Sequence, residues 1–446
     1  MNVFEIVKVI QDKITNTTSK EELIYLAKSL ENLNLGQVKT VSTYTDLLNI
    51  KYPIEGELYF VDTEERLYYA FGSRWILVFN PANSPAYGWG VNSYGRVGDG
   101  TTTSRAAPTL IVGNFTDWTL IGQTRGPHSN GLRADGTIWS WGKNEFSQLG
   151  DGTTVSRSSP VSLIGGITDW VYLAGGGYTG HAIRANGTLW SWGRNSTSQL
   201  GDGTNTNKSS PVSVVGGFTD WIQVTASASG AGRAFTVALR GNGTLWSWGT
   251  NQDGVLGHGA GGVETASPKS VVGGFTDWTK VGTGRYHTVA LRSNGTIWCW
   301  GRNEYGQLGE NGVVGARTSS PVSVIGGFTD WVAISAGHVH SLGIRSNGTL
   351  WAWGRNNFGQ LGDNTSSNRS SPVSVVGGFT DWTSVSGGGG TSMALRSNGT
   401  LWGIGAITGD GTSTNRSSPV SVAGGFTDWV SVTSTGYNSF AIRSIN

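Results

Sequence analysis

The chain has 446 residues, 31 basic against 29 acidic side chains, and a formal net charge of +2. Such a balance gives no electrostatic case for nucleic acid or for an acidic membrane surface. Glycine is abundant at 70 residues and charged residues make up only 13%, against about 25% in an ordinary soluble domain, which points to a turn-rich β body.

A single cysteine, Cys299, excludes an intramolecular disulfide framework and predicts a small buried residue. Met1-Asn2-Val3-Phe4-Glu5 has neither a basic start nor an apolar signal core. No apolar run approaches the ~18 residues of a membrane span. These features predict synthesis in a cytoplasm, no signal peptide and no membrane insertion.

In chain order, the first element predicted is helical. Val3, Phe4, Val7, Ile10 and Ile14 follow helical spacing, and Ser19-Lys20-Glu21-Glu22 reads as a capping box opening a second helix lined by Leu23, Leu26, Ala27 and Leu30. Two short amphipathic helices cannot bury both apolar faces alone. Residues 1–35 are therefore expected to be a helical hairpin for attachment or homo-oligomerisation through Phe4, Val7, Ile10, Leu23, Leu26 and Leu30. Residues 36–85 are predicted to hold a linker and a small three-strand meander over 56–78, with turns at Asp62–Glu65 and Gly72-Ser73.

From Ala86 to Asn446 one pattern repeats. It reads approximately L-R-x-N-G-T-L-W-x-W-G-x-N-x-x-x-Q-L-G-D-G-T, then S-S-P-V-x-V-x-G-G-F-T-D-W. Its W-x-W-G part begins at Trp139, Trp190, Trp246, Trp298 and Trp351, with weaker forms around Trp89 and Trp402. Its T-D-W part ends at Trp118, Trp170, Trp221, Trp278, Trp331, Trp382 and Trp429. A period of about 50 residues with several strand-like runs predicts a propeller. The first unit lacks the L-R-x-N-G-T half that ends the chain at Ala441–Asn446. Seven blades are therefore expected, the seventh closed by pairing the two ends of the repeat region at Trp89, Arg443 and Asn446, which removes exposed sheet edges. The fold class is mainly β.

Within each repeat, Asn-Gly flanked by β-formers, as at Asn294-Gly295, predicts a two-residue type I′ hairpin. Proline in S-S-P-V fits a strand start or edge. All 20 tryptophans are accounted for by the two repeat elements and Trp75, which favours core packing over a sugar-stacking platform. Seven arginines (133, 184, 240, 292, 345, 396, 443) and seven aspartates (117, 169, 220, 277, 330, 381, 428) also recur. They are either a ring of ion pairs or two unrelated rings of solvated charges.

His128, His287 and His340 share one repeat position, and His338-x-His340 lies on one strand face without an obvious third metal ligand. No nucleophile elbow, metalloprotease, phosphate-loop or calcium-loop motif is present. No enzyme activity, cofactor or metal is expected.

Departures from the repeat are the other candidates, since loops on a rigid scaffold are where binding is built. The stretch 225–233 is enlarged around Ser229 and Arg233, as are 258–264 (His258, Glu264) and 310–317 (Glu310, Arg317). The unit at 405–409 is shortened. Drift among repeat copies is the alternative reading of these differences.

Residues 281–309, with Gly-x-x-His-x-x-x-Leu followed by Trp-Gly-x-Asn-x-x-Gly-Gln-Leu-Gly, resemble the repeat of the regulator of chromosome condensation family. The resemblance covers 86–446 and implies a seven-bladed propeller. It also implies chromatin binding or nucleotide exchange on a small GTPase for some members and protein binding for others. This chain has no basic tail for DNA, and fold alone does not carry function.

The stretch at 56–78 is similar to the G-x-L-Y-F-V-x-x-T-x-x-L-Y-x-x-x-G-x-x-W module near the N-termini of bacteriophage fibre and other virion proteins. That similarity implies a non-enzymatic virion component, made in the host cytoplasm. Residues 1–85 would bind virion proteins, and the propeller would bind a host surface receptor or glycan, or a neighbouring virion protein. The alternative is a free propeller that binds or inhibits a bacterial protein.

Overall fold

In the computed structural model, residues 84–445 are described except 123, 125, 228–231 and 313, together with the backbone of four strands between 38 and 79. The predicted helices of 1–35, with Phe4, Val7, Ile10, Leu23, Leu26 and Leu30, lie outside the described residues, as do Ser229 and Asn446.

The three-strand meander is present as Leu58–Val61, Arg66–Phe71 and Arg74–Phe79, paired antiparallel in that order. One strand was missed. Val38–Val41 pairs parallel to Leu58–Val61, making four strands from a region read partly as linker. A four-residue V-K-T-V run has too little periodicity to announce itself, and its pairing is decided by a neighbour twenty residues on.

Seven further sheets of four strands follow. Six are continuous in sequence, spanning 118–162, 170–213, 221–270, 278–323, 331–374 and 382–421, here blades 1 to 6. Blade 7 joins Trp429–Ser434 and Asn438–Arg443 to Ala86–Gly90 and Arg105–Leu110. Its register runs Asn438 opposite Gly90, Phe440 opposite Gly88 and Ile442 opposite Ala86. Asn438 Nδ2 reinforces the joint by donating to the carbonyl oxygens of Trp89 (3.2 Å) and Val91 (2.7 Å). The predicted closure is therefore correct, with Trp89 and Arg443 both in the closing blade.

The first strand of each blade faces the ring axis, where neighbours bond across blades. Thr433 Oγ1 donates to Ile121 O (3.2 Å), and Ser386 Oγ accepts from Ser434 N (2.8 Å). The fourth strands, each carrying the S-S-P-type proline, form the outer rim, with an irregular register beside the third strand. A proline that cannot donate to a ladder is tolerated at such an edge.

The core lies between blades. The second Trp of each W-x-W is fully buried, and the T-D-W Trp makes a ring contact with it in four blades, as with Trp221 and Trp248 at 6.2 Å between ring centroids. Each such indole also ties two blades together: Trp248 Nε1 donates to Gln199 O and Trp353 Nε1 to Gln307 O, both at 3.0 Å. Trp89 is the exception, since its Nε1 finds no acceptor among the described residues. The shortened 405–409 segment of blade 6 lacks the Asn-x-x-x-Gln loop that supplies that carbonyl elsewhere. The assignment of the propeller tryptophans to packing stands. Cys299 is buried as expected, and burial pushes its thiol well up.

The hairpin between second and third strands differs from the predicted type I′ turn. Only its glycine takes a positive φ, as Gly187 does at 73°. The loop is a three-residue turn closed by Gly187 N to Arg184 O (2.9 Å) and by Arg184 N to Thr188 O (3.0 Å). Asn186 contributes its side chain instead, its Oδ1 accepting from Thr188 N (3.1 Å) and Thr188 Oγ1 (2.7 Å). Gly187 is obligatory for a second reason, because a Cβ there would run into the Thr219 carbonyl.

Candidate interaction face

Strand direction divides the loops between two faces of the ring. One receives the turns joining second to third strands and those joining one blade to the next. The other receives the turns joining first to second strands and the long loops joining third to fourth strands.

The first face is closed by the recurring charges. All seven arginines pair with all seven aspartates, each within its own blade, at 2.8 or 2.9 Å. The register places Arg184 opposite Trp170, next to Asp169, so the pair is set by the sheet. In six blades the guanidinium carbon also lies over the ring of the phenylalanine (115, 218, 275, 328, 379 or 426) that precedes T-D-W, at 3.6–4.6 Å from its centroid. The ion-pair alternative is therefore the correct one. Replacing Arg292 by Ala, which removes the pair to Asp277 and the stack on Phe275, is expected to destabilise by about 1–2 kcal/mol. Arg292→Lys should recover only part of this, because an ammonium cannot stack as a flat guanidinium does. Urea unfolding midpoints measure both, and an unmoved midpoint for Arg292→Ala would remove the pairing as a source of stability.

A second set of pairs, not anticipated, organises the long loops on the opposite face. The Asp of G-D-G-T meets the Arg or Lys six residues later in five loops: Asp99–Arg105, Asp151–Arg157, Asp202–Lys208, Asp363–Arg369 and Asp410–Arg416. The fixed spacing of six was the available signal. The Asn of W-G-x-N forms the hub of such a loop. Asn356 is fully buried, its Oδ1 accepting from Leu361 N (2.9 Å) and its Nδ2 donating to Asp363 Oδ1 (3.0 Å). Burial pushes the carboxyls of Asp99, Asp202, Asp363 and Asp410 up, but hydrogen bonds from the loop threonines and basic partners outweigh it and hold them below the ordinary value.

The described loop residues singled out from the sequence, Arg233, His258, Glu264, Glu310 and Arg317, fall on this second face, and two converge. Arg233 and Arg317 both reach the buried carboxylate of Asp253, at 3.2 Å each. Glu310 replaces the loop aspartate and accepts from Asn303 Nδ2 (3.2 Å). His258 also stands where that aspartate would be, 2.9 Å from Ser247 Oγ, and Glu264 accepts from Ser198 Oγ (2.8 Å). His258 and Glu310 thus serve their own loops and Glu264 bridges to the loop of blade 2, whereas Arg233 and Arg317 belong to a shared cluster.

Sequence reading missed what else this face carries. The exposed aromatic rings among the described residues, Tyr94 (48%), Phe358 (37%) and Tyr437 (58%), all lie here. Tyr437 of blade 7 reaches His338 of blade 5 edge-on at 6.2 Å, across the glycine turn 387–390 of blade 6. Lys143 sits 4.9 Å from the Tyr94 ring centroid, and Arg194 sits 4.6 Å from that of Phe146. The tryptophan search overlooked these rings because they are tyrosine and phenylalanine at positions where the repeat is not conserved between copies.

His340 Nε2 lies 3.0 Å from Ser392 Oγ, and among the described residues no three His, Cys, Asp or Glu converge around His338 and His340.

A model of the RCC1-like domain matches residues 173–446, and one of the regulator of chromosome condensation (RCC1) repeat matches residues 135–183. The chain belongs to the RCC1-like family. The chain is 30% identical to the human E3 ubiquitin-protein ligase HERC2 over 292 residues, which is 64% of this chain and only 6% of HERC2. It is 29% identical to the ultraviolet-B receptor UVR8 of Arabidopsis thaliana over 311 residues, 68% of each chain. The RCC1-like ring also superposes on yeast Prp20p with a TM-score of 0.70 at 21% identity, covering 82% of this chain and 92% of Prp20p. Human WBSCR16 gives 0.70 at 18% identity, covering 81% and 99%.

Proposed function

We propose that this RCC1-like protein is a non-enzymatic binding protein whose variable face recognises its target. The observation that carries this is the inequality of the two faces. One is closed by seven near-identical Arg–Asp pairs, and the other gathers the exposed aromatic rings of the described residues among loops that differ from blade to blade. Half-exposed aromatics beside basic groups are what protein interfaces enrich. Prp20p, which shares the fold, is described by its binding to Gsp1p and histones, in keeping with a propeller used to hold proteins.

We further propose that residues 1–85 attach the chain to a bacteriophage particle and present the propeller outward to the host surface or to a neighbouring virion protein. The similarity of 56–78 to virion fibre modules supports this reading. Gradient-purified particles should contain the chain, and a version beginning at Ala86 should stay in the lysate. A full-length chain found only in the lysate would favour the free propeller that binds a bacterial protein. The full chain should also be oligomeric in solution where the shortened one is monomeric.

The face itself is tested separately. Phe358→Glu with Tyr437→Glu should weaken target binding about tenfold or more while leaving the unfolding midpoint close to that of the parent. Undiminished binding would move the site elsewhere.

A further inference from the structure

The strongest unassigned feature on the variable face lies where blades 3 and 4 meet. Three guanidinium groups surround one ring: Arg285, Arg302 and Arg233 stand 5.0, 5.4 and 5.5 Å from the Tyr286 centroid. They come from separate segments, Arg233 from the enlarged turn of blade 3, Arg285 from the equivalent turn of blade 4, and Arg302 from the end of its third strand. Arg317 joins them through Asp253. The carboxylates within the cluster are Asp253, shared by Arg233 and Arg317, and Glu304, which pairs with Arg302 at 2.8 Å. Among the described residues, four arginines therefore face two carboxylates, and the local excess is positive although the whole chain is nearly neutral. Arg285 and Arg317 are exposed, and Arg233 is 40% exposed at its side chain.

Three guanidinium groups do not gather round one ring for stability alone, since like charges this close repel. They do suit an incoming anion. Arginine forks bind carboxylates in two-point fashion, and those stacked on a ring are held ready for it. Nucleic acid is the poorer fit, because it calls for a basic track along its backbone. Here the charge is densest in one cluster, with Lys143, Arg194 and Arg355 standing singly elsewhere on the face, which continues through Tyr305, 5.1 Å from Arg355, to the uncharged Phe358. Carboxylates beside apolar side chains are what a protein segment offers.

We infer that the Tyr286 cluster is the docking site for an acidic protein segment, with Arg285 and Arg302 as its principal contacts. This rests on the variable face being the binding face. The probe is a fluorescein-labelled decaglutamate peptide titrated against the full chain, with decalysine and a twenty-residue oligo-dT as comparisons. Decaglutamate should bind measurably, weaken as salt rises, and lose about tenfold in affinity in the Arg285→Glu, Arg302→Glu double variant. Decalysine should not bind. Tryptophan emission and unfolding midpoint confirm that the variant is folded. No decaglutamate binding, or binding unchanged in the double variant, overturns the inference. Tighter binding of oligo-dT that the same variant abolishes overturns it in favour of nucleic acid. If Phe358→Glu with Tyr437→Glu abolishes target binding but the arginine variant leaves it intact, the face stands and the acidic partner falls.

Discussion

A chain ending at Gly436 is expected to lose the monomeric native state altogether. The deleted strand, Asn438–Arg443, is the second strand of blade 7 and the only element pairing the two ends of the repeat region. Without it, Ala86–Gly90 and Trp429–Ser434 each present an unpaired edge, and paired edges are what hold a ring of sheets soluble. The packing loss is comparable. Phe440, Ala441 and Ile442 are each at most 2% exposed, and Phe440 and Ile442 sit in one cluster with Trp118 and Trp141. Deleting one large buried side chain typically costs about 3–5 kcal/mol, so losing Phe440 and Ile442 alone costs an amount comparable with the ~5–15 kcal/mol that holds an ordinary domain together. Size-exclusion chromatography and tryptophan emission should show aggregated or unfolded protein. A soluble monomer with native emission would mean that blade 7 is dispensable to closure.

Acidification is expected to destabilise the protein well before its carboxylates titrate. His128 and His181 are fully buried, and burial lowers each to about 3, with the nearby Arg96 charge adding to the effect at His128. His258 is lowered to about 4 by burial and then by Lys269. In the unfolded chain these imidazoles take a proton near pH 6.5, while in the folded chain they stay neutral down to about 3. Between those values the unfolded state binds more protons, so stability is complete above about pH 6.5 and declines as pH falls toward 3. At pH 4.5 the two buried histidines together account for a loss on the order of 5 kcal/mol. The loop aspartates, held below their ordinary value, add a further loss only below about pH 4. Urea midpoints between pH 7 and 4.5 should fall steeply, and His128→Gln with His181→Gln should flatten the profile. A flat profile in the parent chain would contradict the assignment of buried neutral imidazoles.

Seven-fold repetition, the split copy and the Arg and Asp positions were legible in the sequence because each is a local pattern that a period of about 50 residues forces to recur. The tryptophans were assignable to packing for the same reason, since a position repeated in every blade meets the same neighbours in every blade. The added strand Val38–Val41 was not legible, because parallel pairing to Leu58–Val61 is a property of two distant segments. The hairpin type was misjudged because Asn-Gly serves two turn geometries. Only the backbone shows that Gly187 alone takes the positive φ while Asn186 works through its side chain.

The sequence by itself determined the architecture and the positions of the recurring charges, since strand, turn and charge lie within one repeat, while the sheet register decided that those charges pair. The tertiary structure alone decided which side chains from different blades meet. Arg233, Arg302 and Arg317 converge around Tyr286 and Asp253 because ring closure stacks blade on blade. Residues a whole repeat or more apart carry no mutual signal until inter-blade packing sets their distance.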